Sequence, residues 1–127
     1  MPCDYVIDKE RGLVLTKAWD VLTTAEALEH QNRLRDDVNF DPNFSQLIDG
    51  TRVTKIEAGP GDVQMLAERN IFSPRSRRAF VTAHTALFGV LRMFQVYREM
   101  YGAGEQIQVF HDLPSAMEWL GPGLIRR

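Results

Sequence analysis

The sequence predicts an α/β domain built on a mixed five-stranded sheet with four helices, in the order β-β-α-β-α-β-α-β-α. Three observations carry this expectation. From residue 44 onward, short apolar runs alternate with longer segments of helical periodicity, the pattern of parallel strands joined by crossover helices. At the start, two strand-like runs lie only a turn apart, which makes an antiparallel hairpin. The 127 residues suffice for one sheet covered by helices and contain no linker, repeat or low-complexity stretch, so one domain over 1–127 is expected.

Each element follows from its residues. Tyr5-Val6-Ile7-Asp8 reads as a strand, Lys9 to Gly12 as a turn, and Leu13 to Trp19 as the antiparallel partner, rich in β-formers. Gly12 supplies the positive φ of that turn. Thr23-Thr24-Ala25-Glu26 matches a capping box, and the helix after it runs to about Asp37 with Ala27, Leu28, Gln31, Leu34 and Val38 on one side. Phe44 to Asp49 is the third strand, with Arg52 to Ile56 continuing in extended or irregular form. Gly59-Pro60-Gly61-Asp62 turns into the second helix, with Asp62 as N-cap, Val63, Met65, Leu66 and Ile71 along it, and Ser73-Pro74 as its stop.

Arg78 to Ala83 forms the fourth strand, whose continuous apolar centre suits an interior position. The longest helix spans about Thr85 to Tyr101 and closes at Gly102. Gln106 to Phe110 is the fifth strand. Asp112 caps the last helix, Pro114 is tolerated in its first turn, and Gly121-Pro122 ends it.

Composition excludes several function classes. The formal net charge of −2 gives no electrostatic footprint for a nucleic-acid backbone, so no nucleic-acid partner is expected. Arg75, Arg77 and Arg78 read as a solvated or acid-paired edge. The single Cys3 has no disulfide or metal partner, which suits a reducing, cytoplasmic setting. Asp4, Asp8, Lys9 and Glu10 interrupt any secretory apolar core, and the apolar-rich stretch 79–101 carries too many polar residues for a membrane span. No P-loop, dinucleotide, nucleophile-elbow or zinc-protease motif is present, so no cofactor and no metal are expected.

Particular residues then carry a family likeness. Arg78-Ala79-Phe80-Val81, Leu87 to Phe94, Val109-Phe110-His111-Asp112 and the closing Ala116-Met117-Glu118-Trp119-Leu120-Gly121 follow the pattern of a small bacterial STAS-like group. The chain thus resembles STAS domains, which include bacterial anti-sigma-factor antagonists, and the related lipid-carrying CRAL-TRIO domains. The resemblance spans nearly the whole chain through core and cap positions. It implies a STAS-like fold and a non-enzymatic regulatory or binding module. In the phosphoswitch antagonists of that family, a serine directly after an aspartate at the start of the second helix accepts phosphate. Here Asp49 precedes Gly50 and Thr51, and the helix opens at Pro60, so no phosphorylation site is expected.

Two features point to function. On the long helix, Val90, Met93, Phe94, Tyr97, Met100 and Tyr101, with Leu87, Leu91 and Val96, spread far wider than the ~100° stripe that packing on a sheet requires. The surplus is either covered by neighbouring helices or, with dimerisation favoured, forms a homodimer face or the wall of a pocket for a small apolar or lipid-like ligand. His84 and His111 each stand just past the C-terminal end of a parallel strand, with Asp49 closing the third strand at the same edge, where open α/β sheets bind ligands. That trio is the candidate for ligand binding or, as a further alternative, for acid–base catalysis.

Overall fold

The computed structural model describes residues 3–121. Among them the order is β1 (Cys3–Asp8), β2 (Leu13–Thr23), α1 (Thr24–Arg35), β3 (Ser45–Glu57), α2 (Pro60–Ala67), β4 (Arg77–Val81), α3 (Thr85–Met100), β5 (Gln106–Phe110) and α4 (Leu113–Leu120). This is the predicted element order. Pro122, read with Gly121 as the end of the last helix, lies outside the described residues.

The five strands lie side by side in chain order. β1 pairs antiparallel with β2, and β2 through β5 are mutually parallel. A run of right-handed crossovers stepping in one direction places the connecting helices on one face of the sheet. The contacts agree. Phe80, Ile107 and Val109 pack against α2 and α3, with Ala27 and Leu28 of α1 beside them, while Leu13, Leu47, Ala79 and Val81 of the opposite face pack against Ala116 and Leu120 of α4.

Caps hold the helices where the sequence puts them. The Thr23 hydroxyl accepts from the Glu26 amide while the Glu26 carboxylate accepts from the Thr23 amide, completing the capping box. Asp112 accepts from the Ser115 amide at 2.8 Å and opens α4. Gly12 and Gly102 both adopt positive φ, at the hairpin turn and just past α3.

Four local expectations change. β2 and β3 run on as a paired ribbon, Trp19 to Thr23 against Arg52 to Glu57, across bulges near Ala18 and Asp20; Asp20 takes a φ of 55° there. α1 ends at Arg35, leaving Val38 beyond it 96% exposed. The cap of α2 is Gly59, because Asp62 sits one turn inside and its carboxylate accepts the Gly59 amide. Ile71, although buried, follows the end of that helix.

The largest correction concerns Arg78. Arg75 and Arg77 are exposed as expected, but Arg78 shares its strand face with Phe80 and is buried. Its Nη1 donates to Glu105 Oε2 at 2.8 Å, and Arg98 Nη2 donates to the other oxygen of the same carboxylate. Arg98 Nη1 also donates to the carbonyls of Ala67 and Arg69 and to Asn70 Oδ1, tying α3 to the end of α2. A buried pair that loses one partner leaves an uncompensated charge in a medium that solvates it poorly. Glu105→Gln would strip the negative charge from between two guanidiniums, and urea unfolding should show a loss of about 3–5 kcal/mol.

Candidate functional site

Between the sheet and α1, α2 and α3 the packing stays open, and a cavity of about 130 Å³ remains. Small side chains explain the space. Ala18 and Thr16 on β2, Ala27 on α1 and Ala58 before α2 line it, where larger residues would have met across the layer. Leu22, Leu66, Leu91 and Phe94 supply most of the remaining apolar wall. Its size approaches that of an engineered apolar cavity of ~150 Å³ known to admit benzene.

One side of this cavity is polar and ordered. Arg78 Nε donates to Gln46 Oε1 at 2.9 Å, which orients the amide so that Gln46 Nε2 donates to Thr16 Oγ1 at 3.0 Å. Thr16 Oγ1 lies 3.1 Å from His30 Nε2. Gln46 takes one of the two lone pairs of the threonine hydroxyl, which keeps a proton and a second lone pair with which to meet His30 Nε2. Burial, reinforced by the positive charges of Arg78 and Arg33, pulls His30 down to about 4. The chain His30–Thr16–Gln46–Arg78–Glu105–Arg98 therefore crosses the core, and its first four members line the cavity.

Cys3 also lines the cavity. Burial, with Asp4, Glu26 and Glu29 adding to it against Arg33, pushes its thiol up to about 11. A thiol held protonated is a poor nucleophile, so Cys3 acts here as apolar wall. Gln31, on α1, contributes to the same wall and has a buried Oε1 that accepts from no group among the described residues, although its Nε2 donates to the Leu66 carbonyl.

The residues singled out in the sequence fall into three settings. Leu87, Val90, Leu91 and Phe94 of the long helix face inward and line the cavity. Phe94 is buried against Phe80, ring centroids 5.7 Å apart, so it belongs to the core and not to an outward face. Met93 and Tyr97 are half-buried against the same core, whereas Val96, Met100 and Tyr101 are exposed, Met100 by 77%.

His84 caps α3, its Nδ1 accepting from the Leu87 amide at 3.3 Å. His111 stacks on Phe88 with 4.2 Å between ring centroids. Asp49 is opposite Val81 in the sheet, within a β3 that runs on past it, and accepts from the Thr51 amide and hydroxyl. No hydrogen bond or ring contact joins any two of these three among the described residues. Nor does any group of three or more His, Cys, Asp and Glu side chains gather to hold a metal ion there.

The sequence reading missed His30, Gln46, Glu105 and the burial of Arg78. Alternation along β4 carried the signal for Arg78, which stands two residues from Phe80 and so on the same face. Arg98 stood inside the apolar arc of α3, a second signal of burial. His30 stands three residues after Ala27 and four before Leu34, on the inward face of α1, which was a signal of its burial; Glu105 had none, because it precedes β5 in the connection from α3.

The chain matches no protein-family model and no curated protein. It is similar in structure to an uncharacterised protein from Shewanella loihica PV-4, of the DUF3478 family and with a SpoIIAA-like fold. The TM-score is 0.58 at 18% identity, over 93% of each chain. The fold is therefore SpoIIAA-like, that is STAS-like, as the resemblance implied. Among the described residues no helix is long and apolar enough to cross a membrane.

The His30 ring gives the site a pH signature. Its folded-state value of about 4 lies below the ordinary 6.5, so the unfolded chain binds a proton that the folded chain refuses. The contribution is complete above pH 6.5 and is lost as pH falls from there toward 4. The wild type should lose up to ~3 kcal/mol of stability over that window by urea unfolding, and His30→Gln should lose much less.

Proposed function

We propose that this protein is a non-enzymatic binding module of STAS-like fold that holds a small apolar molecule between its helices and its sheet. The observation that carries this reading is the 130 Å³ cavity, mostly apolar, with an ordered polar group at one side. Ligand sites combine apolar walls with a few placed hydrogen-bonding groups in this way. A cytoplasmic location suits the lone, buried thiol. A catalytic role for His84 and His111 needs a shared centre, and each ring instead serves its own local contact.

Native mass spectrometry of freshly purified protein is expected to show a bound small molecule, and Leu91→Trp, which fills the cavity, is expected to remove it. An apolar probe such as toluene at a hundredfold excess over its Kd should raise the unfolding free energy of the wild type by about 2.7 kcal/mol. A clean unliganded mass together with no thermal response to apolar probes would count against the reading.

A second reading, self-association through α3, draws on the exposed Val96, Met100 and Tyr101. Tyr101 caps the helix that carries the other two, so the three form an apolar patch at its C-terminal end. On this reading light scattering at high concentration gives the dimer mass for the wild type and the monomer mass for Met100→Glu.

A further inference from the structure

The charged wall of the cavity is not balanced. Arg78 and Arg98 share one carboxylate, that of Glu105, so two positive charges meet one negative charge in the core. Arg98 finds further negative partial charge at the carbonyls of Ala67 and Arg69, where α2 ends. Arg78 has no such supplement. Beyond Glu105 its Nε meets only the neutral amide of Gln46, and its Nη2 donates to no acceptor among the described residues. The rings of Phe72, Phe80 and Phe94 lie around its guanidinium, at 4.6, 5.3 and 5.4 Å from centroid to carbon. They hold the plane in place and offer their π faces, but none accepts an N–H in the way a carboxylate does. Of the two arginines, Arg78 is the one that borders the cavity.

We infer that the cavity selects a small monocarboxylate, its apolar body among Leu66, Leu91 and Phe94 and its carboxylate on the guanidinium of Arg78. This rests on the binding-module reading above and adds the head group to it. A neutral hydroxyl or amide could accept from Nη2 but would leave the excess charge unanswered. A dianion such as a phosphate monoester would overshoot a single excess charge, and it would lose much hydration inside walls that are mainly alkyl and aromatic. A single carboxylate on a ring or a short chain matches both the charge and the volume.

The test compares two ligands of one shape, benzoate and nitrobenzene, which differ in net charge. Dissociation constants for the wild type at neutral pH come from NMR titration, with Leu91→Trp as a filled-cavity control. Benzoate is expected to bind about ten- to a hundredfold tighter than nitrobenzene, the ratio one charge-assisted hydrogen bond supplies, and the filled variant to bind neither. Arg78→Met, where it folds, should erase the preference and Arg78→Lys should retain part of it; the wild-type comparison decides even where neither variant folds. Equal affinity for the two ligands, or tighter nitrobenzene, overturns the carboxylate assignment and leaves the binding module standing. Benzoate binding that survives Leu91→Trp also overturns it, since the anion then sits elsewhere. If neither ligand binds and the native mass is clean, both proposals fall together.

Discussion

Two guanidiniums on one buried carboxylate set the terms for the rest of this molecule. Arg78 comes from β4, Arg98 from α3, and Glu105 from the turn that leads into β5. These partners lie 27 and 7 residues apart in the chain, and they meet only if the α3 crossover has packed onto the correct face in the correct register. A slip of β4 by one residue would send Arg78 to the α4 side and bring Ala79 into its place. The cluster is therefore a register lock. As a source of stability it is poor, because well-packed apolar residues of similar volume often match or exceed a buried ion network. The binding reading proposed above assigns it a role beyond holding the sheet together, since Arg78 borders the adjoining cavity.

The cavity itself is a consequence of topology. Because the strands lie in chain order and β2 to β5 are parallel, α1, α2 and α3 crowd one face while α4 alone covers part of the other. Three helices crossing a twisted sheet fill the space between layers only if large side chains stand where their axes diverge. Here alanine and threonine stand there instead, at Thr16, Ala18, Ala27 and Ala58. The extended β2–β3 ribbon then closes the flank, with Leu22 and Ile56 packed beside Leu87 and Leu91. Gly50 permits this closure: a Cβ there would sit 3.0 Å from the Val81 carbonyl oxygen and 3.2 Å from Leu87.

Most of the fold was legible in the sequence, and less of the site. Strand runs, the Thr23 capping box, the Asp112 cap and Gly102 are local signals, and each fixed an element where the structure has it. Features that depended on length were read less well. The β2–β3 ribbon sets Trp19 to Thr23 against Arg52 to Glu57 across bulges that break the alternation of β2, and α1 stops before Val38 although the apolar spacing continues to it. The excess apolar arc of α3 was visible, but its division was not. Leu87, Val90, Leu91 and Phe94 turn toward the cavity, and Val96, Met100 and Tyr101 remain outside. Which part of a wide arc meets the sheet depends on the roll of the helix, and Arg98 sets that roll by reaching Glu105 and the end of α2. A charge among apolar residues was thus the most informative irregularity in the segment.

The direction of the hydrogen bonds explains why the excess charge stays at the cavity. From Arg78 two donors point away, guanidinium to Gln46 and amide to Thr16, and the Thr16 hydroxyl pairs in turn with His30. Beyond Arg78 such a chain is made of neutral groups while His30 is neutral, and it offers no negative charge at any step. Protonating His30 would place another positive charge near Arg78 in a poorly solvating core, which is why burial and that arginine together depress the ring. The network can neither disperse the charge of Arg78 nor cancel it. Glu105 is already divided between two cations. On the reading proposed above, a ligand carboxylate in the cavity that Arg78 borders supplies the second negative charge.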